Sequence, residues 1–166
     1  MPHATLIIES PVGPLLLAAD EAGITECRFD AAPAPATGTG SAKEHVDALA
    51  AELAAYFAGE RRDFTTPLSP RGTEFQLRVW RELLRIPFGE TISYGELARR
   101  IGDPGAARAV GAANGANPIS IVVPCHRVID SAGRLHGYGG GLDRKAKLLN
   151  HERTVAGVHT APLFAM

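Results

Sequence analysis

Between Pro67 and Gly72 the chain carries Pro67, Pro70 and Gly72, and no helix continues through such a stretch. Before it lie three short apolar runs and one helix; after it the chain is mostly helical. A chain of 166 residues broken in this way is read as two small domains, 1–70 and 71–153, with a tail over 154–166.

Charge changes at the same place. The net charge of −1 conceals 4 Lys/Arg against 10 Asp/Glu in residues 1–70, and 13 against 8 in residues 71–166. Only the second half is suited to a polyanion, unless the split reflects two ordinary solvated surfaces. With 45% hydrophobic and 21% charged residues the composition is that of a soluble globular protein. No apolar run reaches the roughly 20 residues of a membrane span, and the N-terminus lacks the order of a signal peptide. Two cysteines, Cys27 and Cys125, are too few for a disulfide framework or a structural zinc site. The expectation is a reduced cytoplasmic protein with no metal and no membrane partner.

In the first half, Leu6-Ile7-Ile8, Leu15-Leu16-Leu17 and Ile24 to Phe29 read as strands separated by turn-forming segments. Cys27 shares a face with Phe29, opposite Glu26 and Arg28, which makes it a small buried hydrophobe rather than a reactive thiol. Residues 31–42, nearly all Ala, Pro, Gly, Thr and Ser, read as a mobile connection. Val46, Leu49, Leu53 and Tyr56-Phe57 then recur at helical spacing, and Gly59 stops the helix. No catalytic constellation occurs here.

The second half opens with a capping box, Thr73 with Gln76, ahead of an amphipathic helix through Val79-Trp80 and Leu83-Leu84. A second box, Ser93 with Glu96, starts a short helix. Asp103 as N-cap and Pro104 at the first helical position start a third, which runs to about Gly115. Helix, Gly-containing turn, helix is the outline of a helix-turn-helix, though many buried helix pairs share it. On the third helix Val110 must face the core, so Arg108, Gly111, Ala112 and Gly115 form one exposed stripe at i, i+3, i+4 and i+7. A helix that reads bases in the major groove needs several long polar side chains. This stripe offers one cation on an otherwise bare face, suited to a narrow groove and a single inserted side chain. Tight packing against another part of the chain is the competing explanation.

Ile119 to Val123 reads as a short buried strand leading into Pro124-Cys125-His126-Arg127-Val128. A cysteine there, with His beside it, is a candidate nucleophile. A free thiol of pKa about 8.5 is only ~3% ionised at neutral pH, so a base or cation must assist it. In the last helix Ala146 and Leu148-Leu149 give the apolar face. Glu152 follows four residues after Leu148 and so lies on that face. A carboxylate there needs a partner: His126, giving a Glu–His–Cys relay, or Arg127, unless the helix frays and Glu152 reaches water. Between them Gly133 to Gly141 surround Tyr138 with glycines, a loop able to close over a flat ligand. It is not a phosphate-binding pattern.

Taken together these residues resemble the O6-alkylguanine-DNA alkyltransferases. The resemblance covers about Gly72 to Glu152 and rests on P-F-G-E-T-I-S-Y, A-A-R-A-V-G, I-V-V-P-C-H-R-V-I and G-Y-G-G-G. It implies an α+β protein: a small ribonuclease-H-like N-terminal domain and a helical C-terminal domain with a winged helix-turn-helix. It also implies that Cys125 accepts the alkyl group irreversibly and that His126 takes the thiol proton through a water. Glu152 would polarise the imidazole and Asn117 would order the segment. Arg108 would fill the hole left by the extruded nucleotide, with Gly111 and Ala112 beside it on the DNA. Tyr94 would push the adjoining phosphate and hydrogen-bond the guanine. Tyr138 would pack on the base, main-chain groups of Cys125, Val128 and Gly139 would read its edge, and Ser131 would contact the DNA backbone. The implied partner is double-stranded DNA containing O6-alkylguanine, with no cofactor, and the protein would be a monomer able to cluster on DNA.

Two departures stand out: Gly139 where some members carry Ser, and His136 where Thr or Asn is usual. Against single-turnover alkyl transfer stand two other readings. One is a non-catalytic module that recognises alkyl lesions. The other is a cysteine hydrolase using Cys125, His126 and Glu152, which leaves Arg108 unexplained.

Overall fold

The structure, a computed structural model, describes residues 3–135 and 137–157; His136 and the apolar tail from Val158 onward lie outside them. The chain forms two compact units: Met1–Arg71 with Pro118–Val122, and Gly72–Asn117 with Val123–Met166. Boundaries drawn along the sequence assign 118–122 to the second half, whereas its contacts group it with the first.

In the first unit, β1 (Ala4–Ile8), β2 (Leu15–Ala19) and β3 (Ile24–Arg28) form an antiparallel sheet in that order. Leu6 pairs with Leu17, and Leu17 with Cys27. Asp20 closes the second hairpin by accepting from the backbone N–H groups of Ala22 and Gly23 at 2.8 and 3.0 Å. Gly23 is required by close approach, because a Cβ there would stand 2.4 Å from the Pro67 carbonyl oxygen. Helix α1 (Gly40–Phe57) packs on β1 and β2 through Val46, Leu49, Leu53 and Tyr56. It ends at Gly59 as expected, with Gly59 N–H donating to Tyr56 and Glu60 N–H to Ala55.

Both sheet edges are covered, which removes the hazard of unpaired strand backbone. Thr37 bridges to Thr5 on β1 through both backbone bonds and a 2.7 Å hydroxyl contact, so the 31–42 connection is fastened midway instead of mobile throughout. On the β3 side, Ile24 pairs with the 67–69 segment and Cys27 with Pro118 to Ser120.

The expected strand over Ile119 to Val123 is not formed. After the single bridge at Ile119 the chain makes a γ-turn, Val122 N–H to Ser120 O at 2.8 Å, with the fully buried Ile121 at φ +73. A β-branched residue at positive φ is strained. An inverse γ-turn follows, Cys125 N–H to Val123 O, with Pro124 at φ −81 and ψ 62. An apolar β-branched run does not by itself separate a buried strand from a buried turn.

The second unit holds α2 (Glu74–Leu83), α3 (Tyr94–Arg100), α4 (Ala107–Gly115) and α5 (Leu142–Val155). A short parallel pair joins β4 (Ile92–Ser93) to β5 (Val128–Ile129). The capping box of α2 is complete. That of α3 is half made: Ser93 accepts from Glu96 N–H, but the Glu96 carboxylate turns to Arg99 and Arg100. Helix α4 starts later than expected, with Ala106 as N-cap and no side-chain cap; Asp103 and Pro104 lie in the preceding turn. Helices α2, α3 and α4 pack on one another, and Trp80 Nε1 donates to the Ala113 carbonyl at 2.9 Å. Among the described residues no helix is long and apolar enough to cross a membrane.

Candidate functional site

Cys125 opens a single 3-10 turn, Cys125–Arg127, instead of standing at the end of a strand. The turn hides all three side chains of Cys125, His126 and Arg127. Asn117 donates from Nδ2 to the Cys125 sulfur at 3.1 Å and to the Val123 carbonyl at 2.8 Å, so it ties the sulfur to the segment before it. Burial raises the Cys125 pKa, while Asn117, the Lys145 charge and the Tyr138 hydroxyl pull the other way. The resting sulfur is a thiol surrounded by groups that favour its anion.

The histidine beside it is equally enclosed. His126 Nε2 lies 2.8 Å from Glu152 Oε2, and both side chains are wholly buried. Burial holds the imidazole below its usual pKa and therefore neutral, against the pull of Glu152. With Nε2–H donated to the carboxylate, the lone pair is on Nδ1, which has no hydrogen-bond partner among the described residues. No direct hydrogen bond joins either ring nitrogen to Cys125.

Glu152 bonds both His126 and Arg127, and its side chain is wholly buried instead of reaching water at a frayed helix end. Arg127 donates to it from Nε and Nη2 at 2.8 and 3.0 Å, and from Nη1 to the Ile86 carbonyl at 2.7 Å. Burial opposes ionisation of Glu152, but His126 and Arg127 outweigh it and hold the carboxyl well below its usual range. Gly89 N–H adds a 3.2 Å bond to Oε1. Gly89 has φ +82, and a Cβ there would meet that of Ala156 at 2.9 Å, so the P-F-G turn fits under α5 only with glycine.

Residues 4–70 match the family described as 6-O-methylguanine DNA methyltransferase, ribonuclease-like domain, and residues 74–154 match its DNA binding domain. A methylated-DNA--protein-cysteine methyltransferase of Mycolicibacterium paratuberculosis is 55% identical over 148 residues, covering 88% of this chain and 90% of that protein. Its counterpart in Methanosarcina acetivorans is 50% identical over 149 residues, covering 88% and 96%. The crystal structure of Mycobacterium tuberculosis OGT in complex with DNA superimposes with a TM-score of 0.79 at 49% identity, covering 90% of this chain and 92% of that one. The chain belongs to the 6-O-methylguanine DNA methyltransferase family.

The fold class expected from the resemblance is the one found, a small sheet domain and a helical domain as in other 6-O-methylguanine DNA methyltransferases. Burial and the nearness of Cys125 and Asp130 raise the pKa of the Tyr94 hydroxyl, and Tyr138 acts on the Cys125 thiol in the lowering direction. Val128 is buried, and Gly139 and Ser131 are exposed. Arg108, Ala112 and Gly115 are exposed and Gly111 is half-buried, while Val110 is fully buried. A Cβ on Gly111 would rest at 3.8 Å from the Tyr94 ring, and one on Gly115 would meet nothing within 4 Å. Internal packing thus gives no reason for the bareness of this face.

Two buried polar residues near Cys125 escaped the sequence reading. Asn114 Nδ2 donates to the Cys125 carbonyl at 3.3 Å, and its Oδ1 has no partner among the described residues. Lys145 is fully buried on α5. The available signal was its spacing: Lys145, Leu148, Leu149 and Glu152 fall at i, i+3, i+4 and i+7 on one face.

Proposed function

We propose that this protein repairs DNA by moving the alkyl group of O6-methylguanine onto its own Cys125, once per molecule. The observation that carries this reading is the buried relay beside Cys125: a neutral His126 with its outer nitrogen on Glu152 and its inner nitrogen unoccupied. The sulfur's proton passes through a water to Nδ1, and Glu152 stabilises the imidazolium that forms. The thiolate attacks the alkyl carbon, forming S–C as C–O6 breaks. The bonding electrons stay on the base, which returns to the keto form of guanine on taking up a proton. The product thioether is stable, and no group around Cys125 reverses the step.

Because Cys125 is buried, the base must leave the duplex to reach it, at a cost of a few kcal/mol. Arg108 on the bare face of α4 fills the gap in the stack, Gly111 and Ala112 admit the minor groove, and Ser131 meets the backbone. Tyr94 and Tyr138 hold the flipped guanine, and main-chain groups of Cys125, Val128 and Gly139 read its edge.

The test is intact mass after incubation with an O6-methylguanine duplex, followed by peptide mapping. One methyl group on Cys125, saturating at one per protein, is the expected result. Binding to the lesion without any gain in mass would leave a recognition module, and repeated turnover would exclude suicide transfer.

A further inference from the structure

The relay of His126 and Glu152 accounts for removing the thiol proton, but it leaves Lys145 without a task. This lysine is fully buried, an expensive place for an ammonium. Its Nζ donates to the Val128 carbonyl at 2.6 Å and to the Gly137 carbonyl at 3.4 Å, and it lies 5.9 Å from the centre of the Tyr94 ring. Val128 directly follows the turn that carries Cys125, and Gly137 directly precedes Tyr138. One ammonium therefore fastens the two segments that bracket the sulfur.

Resting on the alkyl-acceptor reading, we propose that Lys145 is a positioning residue. It staples the glycine-rich loop to the start of β5 and supplies the positive charge that stabilises the Cys125 thiolate as it forms. An apolar residue would fill the same space but could do neither, and a buried cation acts strongly over short range because water does not screen it. The charged and titratable groups facing it are Cys125 and His126 from the 3-10 turn, Tyr94 from α3 and Asp130 after β5, with Tyr138 next in the chain to the Gly137 carbonyl it holds. The Asp130 carboxylate is engaged by the N–H groups of Ala132 and Arg134 and by the Arg134 side chain. Burial brings the Lys145 pKa down to about 8, against the pull of Cys125 and Asp130. The staple is charged at neutral pH and discharges in mild alkali.

The experiment follows iodoacetamide alkylation of Cys125 against pH by peptide mass, in the full chain and in Lys145→Gln and Lys145→Arg, with folding checked by circular dichroism. Iodoacetamide needs neither DNA nor guanine, so the result stands apart from whether the protein repairs O6-methylguanine. Lys145→Gln keeps a donor for the carbonyls and loses the charge. It should raise the apparent thiol pKa by about one unit, slowing alkylation roughly tenfold at pH 7 and progressively less as pH rises. Lys145→Arg should restore most of the rate. A loss of equal size at every pH, or an unchanged apparent pKa, would overturn the proposal. If the Gln variant does not fold, the unaltered protein still decides: its profile should carry a second ionisation near pH 8, and one following a single thiol ionisation refutes the idea.

Discussion

Cys27 and Cys125 are both buried, and the chain surrounds them in opposite ways. Around Cys27, on β3 of the first sheet, burial alone acts and pushes the thiol up to about 12. Its backbone N–H donates to the Pro118 carbonyl and its carbonyl accepts from Ser120 N–H, while Leu17 of β2 stands opposite it in register. Around Cys125, burial raises the pKa too, but Asn117, Lys145 and Tyr138 oppose it and a neutral histidine waits next in the chain. Burial by itself makes a thiol inert. Reactivity comes from donors and charge aimed at the sulfur.

The same contrast holds for the two buried glutamates. Glu52 on α1 accepts from the N–H and hydroxyl groups of Thr65 and Thr66 and from Arg61. Every partner is a donor with no further role, so the cluster locks the 61–66 segment to the helix. Glu152 is held as firmly, but one of its partners is a histidine with a second nitrogen to spare. The difference lies in what the partner can do next.

The strongest way to break the comparison is to exchange the roles of the thiols. Cys125→Ala should abolish alkyl transfer entirely while lesion binding survives, and Cys27→Ala should leave transfer unchanged and cost about 1 kcal/mol of stability. Transfer surviving in the first variant would place the nucleophile elsewhere. Glu152→Gln comes next. It leaves Arg127 buried without its anion and His126 without its partner, so transfer should fall by roughly 10²–10⁴ and stability by about 3–5 kcal/mol. Single-turnover rates and urea melts check the two losses separately.

Arg108→Ala should act only where a base must be extruded. Repair of duplex DNA should slow by about tenfold, roughly 1.4 kcal/mol, with near-normal reaction of free O6-benzylguanine. Equal losses on both substrates would mean that Arg108 supports the fold or the pocket instead.

Acid should affect the two glutamate regions in a set order. Folding keeps His126 below its ordinary 6.5, and keeps Glu52 and Glu152 below 4.5. In each case the unfolded chain binds more protons, so stability is greatest above the unfolded pKa and falls as the pH drops through it. Melting temperatures should begin to fall below about pH 6.5 through His126, and more steeply below about 4.5 as the glutamates join. Replacing Glu52 with Gln should soften only the lower step. The smallest effect is Thr73→Ala, which removes half of a capping box for about 1 kcal/mol and leaves both thiols as they were.

The elements governed by local spacing were legible in the sequence. Strands β1 to β3, the helix through Val46 to Tyr56, the Thr73 cap and the inward face of Glu152 all follow from periods of 2 and 3.6 and from cap chemistry, which involve neighbours a few residues away. The rest depended on partners brought from far along the chain. Periodicity placed Lys145 on the buried face, but only carbonyls from Val128 and Gly137 make an ammonium tolerable there. Residues 119–123 have strand composition, yet tertiary packing forces Ile121 to positive φ and closes two γ-turns. The sequence by itself brought forward Cys125, His126 and Glu152 as the candidates for the chemistry, because a thiol, an imidazole and a carboxylate are properties of side chains. Only the tertiary structure decided their protonation and reach, because those depend on how deeply each is buried and which distant donors complete its shell.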